Sequence, residues 1–350
     1  MSTDTQSRKI HAAVVDSHQH LAFQQLDLAE PLENEVLVNI VACGICHTDL
    51  GFMTEGAILG HEGAGIVERV GSAVTAVKPG DHVLLSYQSC GECAPCEDHQ
   101  PYECEHFTKL NFGFQRLDGS SAYPEKVHGH FFGQSAFADY TLVTEQNLVK
   151  VDADLPLNVL APLGCGVQTG AGTVLNTLKV QPGESLMVMG TGAVGLSAIM
   201  AAKIAGAKTI IAVDRDPARL ALASRLGATE TINSDQENYL ATLCPHLDYV
   251  IDTTGIGHLD ELAQDVLKAG GTLVRLTGSA GEPLTQGRKA ISVIQGNSVA
   301  QDFLPQLINY WQQGKFPLEQ LITYYDFDDI NRAVRDAKRG NVIKAVLVWE

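Results

Sequence analysis

Positive charge is scarce in this 350-residue chain: 24 lysines and arginines stand against 41 aspartates and glutamates, a formal net charge of −17 at pH 7. So acidic a surface repels phosphate backbones and anionic lipid, which argues against nucleic acid and membrane partners. An apolar opening is missing as well. The first residues, MSTDTQSRKIHAA, carry no hydrophobic stretch of the kind a secretory signal needs, so a cytoplasmic protein is expected. Nor is there an unbroken apolar run of membrane-spanning length. The most apolar segment, Leu186 to Val213, is interrupted by four glycines and two lysines and reads as strand, turn, helix and strand. Low-complexity runs and internal repeats are absent. Apolar side chains are plentiful, at 45% of residues, enough to offset chain entropy on folding; at this length two domains are expected.

Eight cysteines in a reducing compartment read as metal ligands before disulfides. Four of them, Cys90, Cys93, Cys96 and Cys104, fall within fifteen residues. Two-residue gaps let a turning backbone aim successive sulfurs at one point about 2.3 Å away, and four thiolates close a tetrahedron around zinc. With no position left for substrate, such a site is structural, and its binding energy, on the order of 10 kcal/mol, orders a loop with few apolar residues of its own. A redox pair or an iron–sulfur cluster is the alternative, but ferredoxin-type spacing differs. His99 and His106 read as surface residues of that loop. His18 and His20 look like a metal-binding pair, yet they sit in a polar stretch between two strand-like runs and read as a solvated turn.

A nucleotide-binding pattern follows. Ser185 to Gly190 is an apolar strand leading into Gly190-Thr-Gly192-Ala-Val-Gly195 and a helix-like run, Leu196 to Ala205. The first glycine permits the turn, the second lets backbone approach a pyrophosphate, and the third allows helix and strand to pack. The next strand, Thr209 to Val213, ends at Asp214, whose carboxylate can accept ribose hydroxyls and repels a 2′-phosphate; NAD is therefore favoured over NADP, with Arg215 as the feature that argues the other way. The alternation continues with Tyr249 to Asp252 as strand, His258 to Lys268 as helix, and Thr272 to Leu276 and Ala290 to Gln295 as strands. This is the pattern of a doubly wound parallel sheet, expected from about residue 166 to 296. The remainder, 1–165 and 297–350, is rich in short strands and glycines and forms the second domain.

Three dispersed segments hold further ligand candidates: Cys43-Gly-Ile-Cys46-His47-Thr48-Asp49, Gly60-His61-Glu62-Gly63-Ala-Gly65 and Pro162-Leu-Gly-Cys165-Gly166. Each is weak alone. Together Cys46, His61 and Cys165 offer two thiolates and an imidazole with one position open, a ligand set recognised from alcohol dehydrogenases and not deduced from spacing. Cys43, on an apolar stretch, and Cys244, between Leu243 and Pro245, read as structural. These segments, the four-cysteine lobe and the glycine motif resemble the zinc-containing medium-chain dehydrogenase/reductase family over nearly the whole chain. The runs Phe132 to Tyr140, Gln168 to Gly172 and Tyr325 to Ile330 resemble bacterial aryl-alcohol (benzyl alcohol) dehydrogenases most.

The resemblance implies a GroES-like β-rich catalytic domain beside a Rossmann NAD-binding domain, two zinc ions per chain, and a homotetramer, with a dimer as the other option. It implies oxidation of primary aryl, allylic or similar apolar alcohols to aldehydes, hydride passing from a zinc-bound alkoxide to nicotinamide. Thr48 matches the hydroxyl that takes the alcohol proton, and as a plain residue would be a helix N-cap. His47 matches a pyrophosphate contact, Thr169 a residue packed against nicotinamide, and Asp49, Glu62 and Lys344 match groups that steer the metal ligands. Gly51 stands where many relatives end a proton relay in histidine, so the proton must leave through water or the ribose. The stretch from Asp49 to Gly60 is short, which alters the substrate pocket. Two other readings remain open: a dehydrogenase of thiol–formaldehyde adducts, separable by dependence on added thiol, and a non-catalytic cofactor-binding subunit, separable by assaying hydride transfer with and without chelator.

Overall fold

The computed structural model describes residues 7–236, 246–255, 259–277 and 284–349. Its strands, in chain order, are β1 (Arg8–Val15), β2 (Leu21–Leu28), β3 (Glu35–Gly44), β4 (Gly63–Val70), β5 (His82–Leu85), β6 (Tyr140–Thr144), β7 (Leu148–Val151), β8 (Ser185–Met189), β9 (Thr209–Asp214), β10 (Glu230–Asn233), β11 (Leu247–Asp252), β12 (Leu267–Arg275), β13 (Lys289–Ser292), β14 (Ile322–Asp326) and β15 (Lys344–Val348). The chain divides into two compact units. One runs to Cys165 and takes up Val299–Ile308 and the segment from Leu318 onward; the other comprises Gly166–Ser298 and Asn309–Pro317. The return to the first unit is thus not continuous, because Asn309–Pro317 groups with the second.

In the first unit a seven-stranded sheet runs β14-β15-β3-β4-β5-β7, with β6 also paired to β3, and all its pairings except β14 with β15 are antiparallel. β3, rich in β-branched residues, lies in the interior of this sheet, and Val36, Leu37, Val38, Ile40, Ala42 and Cys43 are all buried. Its C-terminal end delivers the chain to Cys46. Cys43 packs as a small apolar group, its thiol pushed far up by burial.

The second unit is a parallel six-stranded sheet in the order β10-β9-β8-β11-β12-β13. β8 and β9 are buried along nearly their whole length, the mark of parallel strands covered on both faces. The core packs Met187, Met189, Ile211, Val213, Val250 and Leu273 against Leu262, Ala263 and Val266 of the helix Leu259–Val266. β12 begins at Leu267, five residues before Thr272, and β13 ends at Ser292, three before Gln295, because pairing to the neighbouring strand and not residue type sets a strand's ends. His258 and Cys244 lie outside the described residues. Among the described residues no helix is long and apolar enough to cross a membrane.

Candidate metal centres and dinucleotide site

Helix His47–Gly51 is one turn and a half, too short to hold itself together. Asp49 fixes it. Its Oδ2 accepts from the backbone N of Cys46 at 2.8 Å, and its Oδ1 accepts from Gly60 N at 3.0 Å and pairs with His61 Nδ1 at 2.8 Å. One carboxylate, 1% exposed, therefore closes the helix start, ties down both ends of the short 50–60 stretch and orients an imidazole. The N-cap is Cys46, not Thr48; Thr48 lies in the first turn with Oγ1 3.7 Å from Cys46 Sγ. His47 is exposed at the first helical position.

With Nδ1 engaged, His61 Nε2 is left buried and without a hydrogen-bond partner. Ligand atoms of Cys46, His61, Glu62 and Cys165 lie within 4.8 Å of one another. Cys165 is brought in by the turn Ala161–Gly164: Ser86 Oγ donates to Gly164 O at 2.8 Å, and a Cβ on Gly164 would stand 2.0 Å from Leu85 O. Glu62 sits close enough to be a fourth protein ligand, but both its oxygens bond Lys344 Nζ, at 2.8 and 2.9 Å, and Lys344 also donates to Ile45 O. A Cβ on Gly44 would fall 2.0 Å from Glu62 Oε2, so only glycine leaves that carboxylate its place.

The electrostatics fit a cation. The Cys46 thiol is held well below its ordinary value, by the hydrogen bond from Cys165 first and by His61 after burial is overcome. Cys165 is correspondingly raised, by that same bond and by burial. Burial disfavours charge on His61, yet Asp49 and Cys46 outweigh it and lift the imidazole to about 10. Metal binding to thiolate and neutral imidazole displaces protons from such groups. Two thiolates and an imidazole form the donor set of a zinc with one position left for substrate.

In the second cluster Cys90 Sγ lies 3.9 Å from Cys96 Sγ and 3.6 Å from Cys104 Sγ, and Cys93 Sγ lies 3.4 and 3.8 Å from the same two sulfurs. A tetrahedron with zinc–sulfur bonds near 2.3 Å has edges of roughly 3.8 Å, and these four sulfur pairs lie within a few tenths of an ångström of that length. Backbone N–H groups of Cys90 and Cys93 donate to Cys104 and Cys90 sulfurs, as structural thiolates require. His99 is exposed and pairs with Asp302 at 2.7 Å, and His106 begins the helix Phe107–Phe112. His18 and His20 are exposed, their backbone N–H groups bonded to Asp16. Neither pair joins a metal cluster among the described residues.

In the second unit Gly190 adopts φ +87°, which a side chain resists; Gly192 has open space around it, and a Cβ on Gly195 would lie 1.9 Å from Gly190 O. The turn is held by Asp214, whose Oδ2 accepts from Thr191 N and Oγ1 at 2.7 and 2.8 Å, while Oδ1 accepts from Asp216 N at 3.0 Å. Although burial works against it, these bonds keep the carboxyl below its ordinary value. Arg215 next to it is exposed. Thr169 lies in the helix Gly166–Gly172 and its carbonyl accepts from Thr173 Oγ1 at 2.7 Å.

Known proteins resemble this chain in sequence and fold. Residues 32–153 match the family described as "Alcohol dehydrogenase GroES-like domain", and residues 193–311 match "Zinc-binding dehydrogenase". The chain is 39% identical over 94% of both lengths to a geraniol dehydrogenase of Castellaniella defragrans. It superposes with a TM-score of 0.93 on the benzyl alcohol dehydrogenase of Acinetobacter calcoaceticus, 39% identical over 98% of this chain and 100% of that one. The same score is reached with an alcohol dehydrogenase zinc-binding domain protein of Burkholderia ambifaria, 40% identical over 98% and 99%. With its GroES-like and Rossmann-like units and its cysteine–histidine clusters, the chain belongs to the zinc-binding alcohol dehydrogenases of the medium-chain dehydrogenase family.

Proposed function

We propose that the protein oxidises apolar primary alcohols, aryl and allylic ones above all, to their aldehydes with NAD, reversibly, as a cytoplasmic homotetramer holding two zinc ions per chain. The observation that carries this reading is the convergence of Cys46, His61 and Cys165 on one point, with His61 Nε2 buried and unpartnered. Relatives named for geraniol and for benzyl alcohol support the substrate class. Asp214 supports NAD, since a second negative charge beside it is disfavoured.

When bound, zinc supplies the Lewis acidity that eases loss of the alcohol proton, and NAD accepts the hydride. The chain's own groups do the rest. Asp49 keeps the His61 Nδ1–H engaged so that Nε2 faces the ion. Lys344 draws both Glu62 oxygens to itself, so that Cys46, His61 and Cys165 would hold the ion without the Glu62 carboxylate. Thr48 Oγ1, beside Cys46 Sγ, accepts the alcohol proton as it passes on its own; with Gly51 following, no imidazole continues the relay and the proton leaves through water or the ribose. His47 and Thr169 are candidate contacts to the pyrophosphate and the nicotinamide. The glycines 190, 192 and 195 cradle the phosphates at the start of the helix Ala193–Ala205. Cys90, Cys93, Cys96 and Cys104 would hold the second ion, whose binding would help to order their loop.

The test is metal content beside a substrate panel. Purified protein is expected to carry about two zinc ions per chain and to reduce NAD faster than NADP with benzyl alcohol. One zinc ion and no turnover of any alcohol defeats the reading.

A further inference from the structure

Beyond the candidate ligands, the side chains around His61 are aromatic and form one continuous layer. The His61 ring is stacked on Phe132, with centroids 4.3 Å apart and planes at 19°, and meets Phe131 edge-on at 5.5 Å. To make that stack Phe132 adopts φ +54°, a left-handed conformation that an aromatic residue takes only under constraint from its surroundings. Phe131 and Phe132 are 0% and 3% exposed, so they are core. The next rings outward are not. Phe52, Phe112 and Phe114 are half-buried. Phe52 and Phe112 lie parallel, 5.1 Å apart at 14°; Phe52 reaches Phe131 at 5.3 Å and Phe112 meets Phe132 edge-on at 5.0 Å. Phe114 stacks on Phe131 at 5.4 Å.

Two separate constraints put the outer pair there. Phe52 is the first residue after helix His47–Gly51, and only nine residues separate Gly51 from His61, their ends tied by Asp49 to Gly60. Phe112 ends the helix Phe107–Phe112, whose first residue donates to Cys104 O at 2.9 Å, so the four-cysteine lobe sets its place. These half-buried stacked phenylalanines stand one ring removed from a candidate metal ligand.

Resting on the alcohol-oxidising reading above, we propose that Phe52 and Phe112 form the specificity-determining wall of the substrate site, selecting a flat, unsaturated substituent on the alcohol carbon. A planar ring or double bond can lie at 4.5–7 Å from these rings in an offset or edge arrangement; a saturated ring of equal carbon count has no matching quadrupole and is thicker.

The experiment compares benzyl alcohol with cyclohexylmethanol in the zinc-loaded protein and in Phe52→Leu and Phe112→Leu, which keep an apolar side chain of similar size. The ratio of kcat/KM, benzyl over cyclohexylmethyl, is expected to fall about 2- to 12-fold in each variant, the range of one aromatic contact, with the change carried by KM. Loss shared equally by both alcohols, or carried by kcat alone, overturns the proposal, since a merely structural role lowers both together. Should the parent protein oxidise neither alcohol, the alcohol-oxidising reading has failed, and the wall is judged by calorimetric binding of benzamide against cyclohexanecarboxamide. A preference for benzamide that both variants lose then upholds the wall, and equal binding of the two amides overturns it.

Discussion

Asp49→Asn exchanges one oxygen for an amide nitrogen in a site where the carboxylate is 1% exposed. Both oxygens are used: Oδ1 by His61 Nδ1 and Gly60 N, Oδ2 by Cys46 N. Asparagine has one acceptor oxygen. Placed toward His61 and Gly60, it turns its NH2 on the Cys46 N–H, donor against donor; placed toward Cys46, it abandons the other two. The better arrangement leaves one largely buried N–H unpaired, about 1–3 kcal/mol, and makes the bond to His61 neutral, at roughly half the strength of a charge-assisted one. Loss of such a partner behind a metal-ligating histidine typically lowers metal affinity about 10- to 100-fold. The assay is zinc retained per chain after equilibration against graded chelator. One ion is expected to leave Asp49→Asn at about 10- to 100-fold lower chelator than in the parent, while the ion of the four-cysteine site, which shares no residue with it, leaves at the same concentration in both. Asp49→Ala, which loses all three bonds, should shift further. If parent and Asn variant release both ions together at the same chelator concentration, the reasoning that Asp49 positions His61 for metal is refuted.

Three further outcomes are expected. His130 is buried, with Nε2 accepting from Ala122 N at 3.0 Å, and burial first and Arg116 second push it down to about 3 from an ordinary 6.5. Below pH 6.5 the unfolded chain therefore binds the extra proton, so this contribution is whole above 6.5 and declines by about 1.4 kcal/mol per pH unit as pH falls toward 3. Urea midpoints between pH 6.5 and 5 should register about 2 kcal/mol, and His130→Gln should flatten that slope; a slope unaltered by the substitution disproves the assignment. Arg116 grips buried Glu35 through two bonds, Nε to Oε1 at 2.6 Å and Nη2 to Oε2 at 2.9 Å. Arg116→Met should destabilise by about 3–5 kcal/mol in denaturant titration by leaving that carboxylate unpaired, and adding Glu35→Met should recover much of it; no recovery would mean the pair is not the cause. Asp214→Ser should lower kcat/KM with NAD about 10- to 100-fold and spare NADP, the charge and two acceptor sites being lost together; parallel losses with both cofactors would count against a role in discrimination.

Much of this protein is legible in one dimension because its chemistry depends on local spacing. Cys90, Cys93, Cys96 and Cys104 lie within fifteen residues, so their convergence follows from a turning backbone, and Gly190, Gly192 and Gly195 sit inside one strand–turn–helix in which Gly190 takes a positive φ and Gly195 has no room for a Cβ. The alternation of apolar runs likewise announced the parallel sheet, since strands covered on both faces read as continuous hydrophobic stretches. The tertiary structure alone decided what depends on distant segments meeting. Cys46, His61 and Cys165 are separated by 15 and 104 residues, and only the fold of the first unit shows that their ligand atoms share a point. Resemblance singled out Glu62 and Lys344, but that both Glu62 oxygens bond Lys344, and that Gly44 makes room for the carboxylate, is visible only where the segments meet. The same holds for Phe52 against Phe112, because a ring stack between residues 60 positions apart is a matter of how two chain segments pack, and periodicity records only the face a residue turns within its own element.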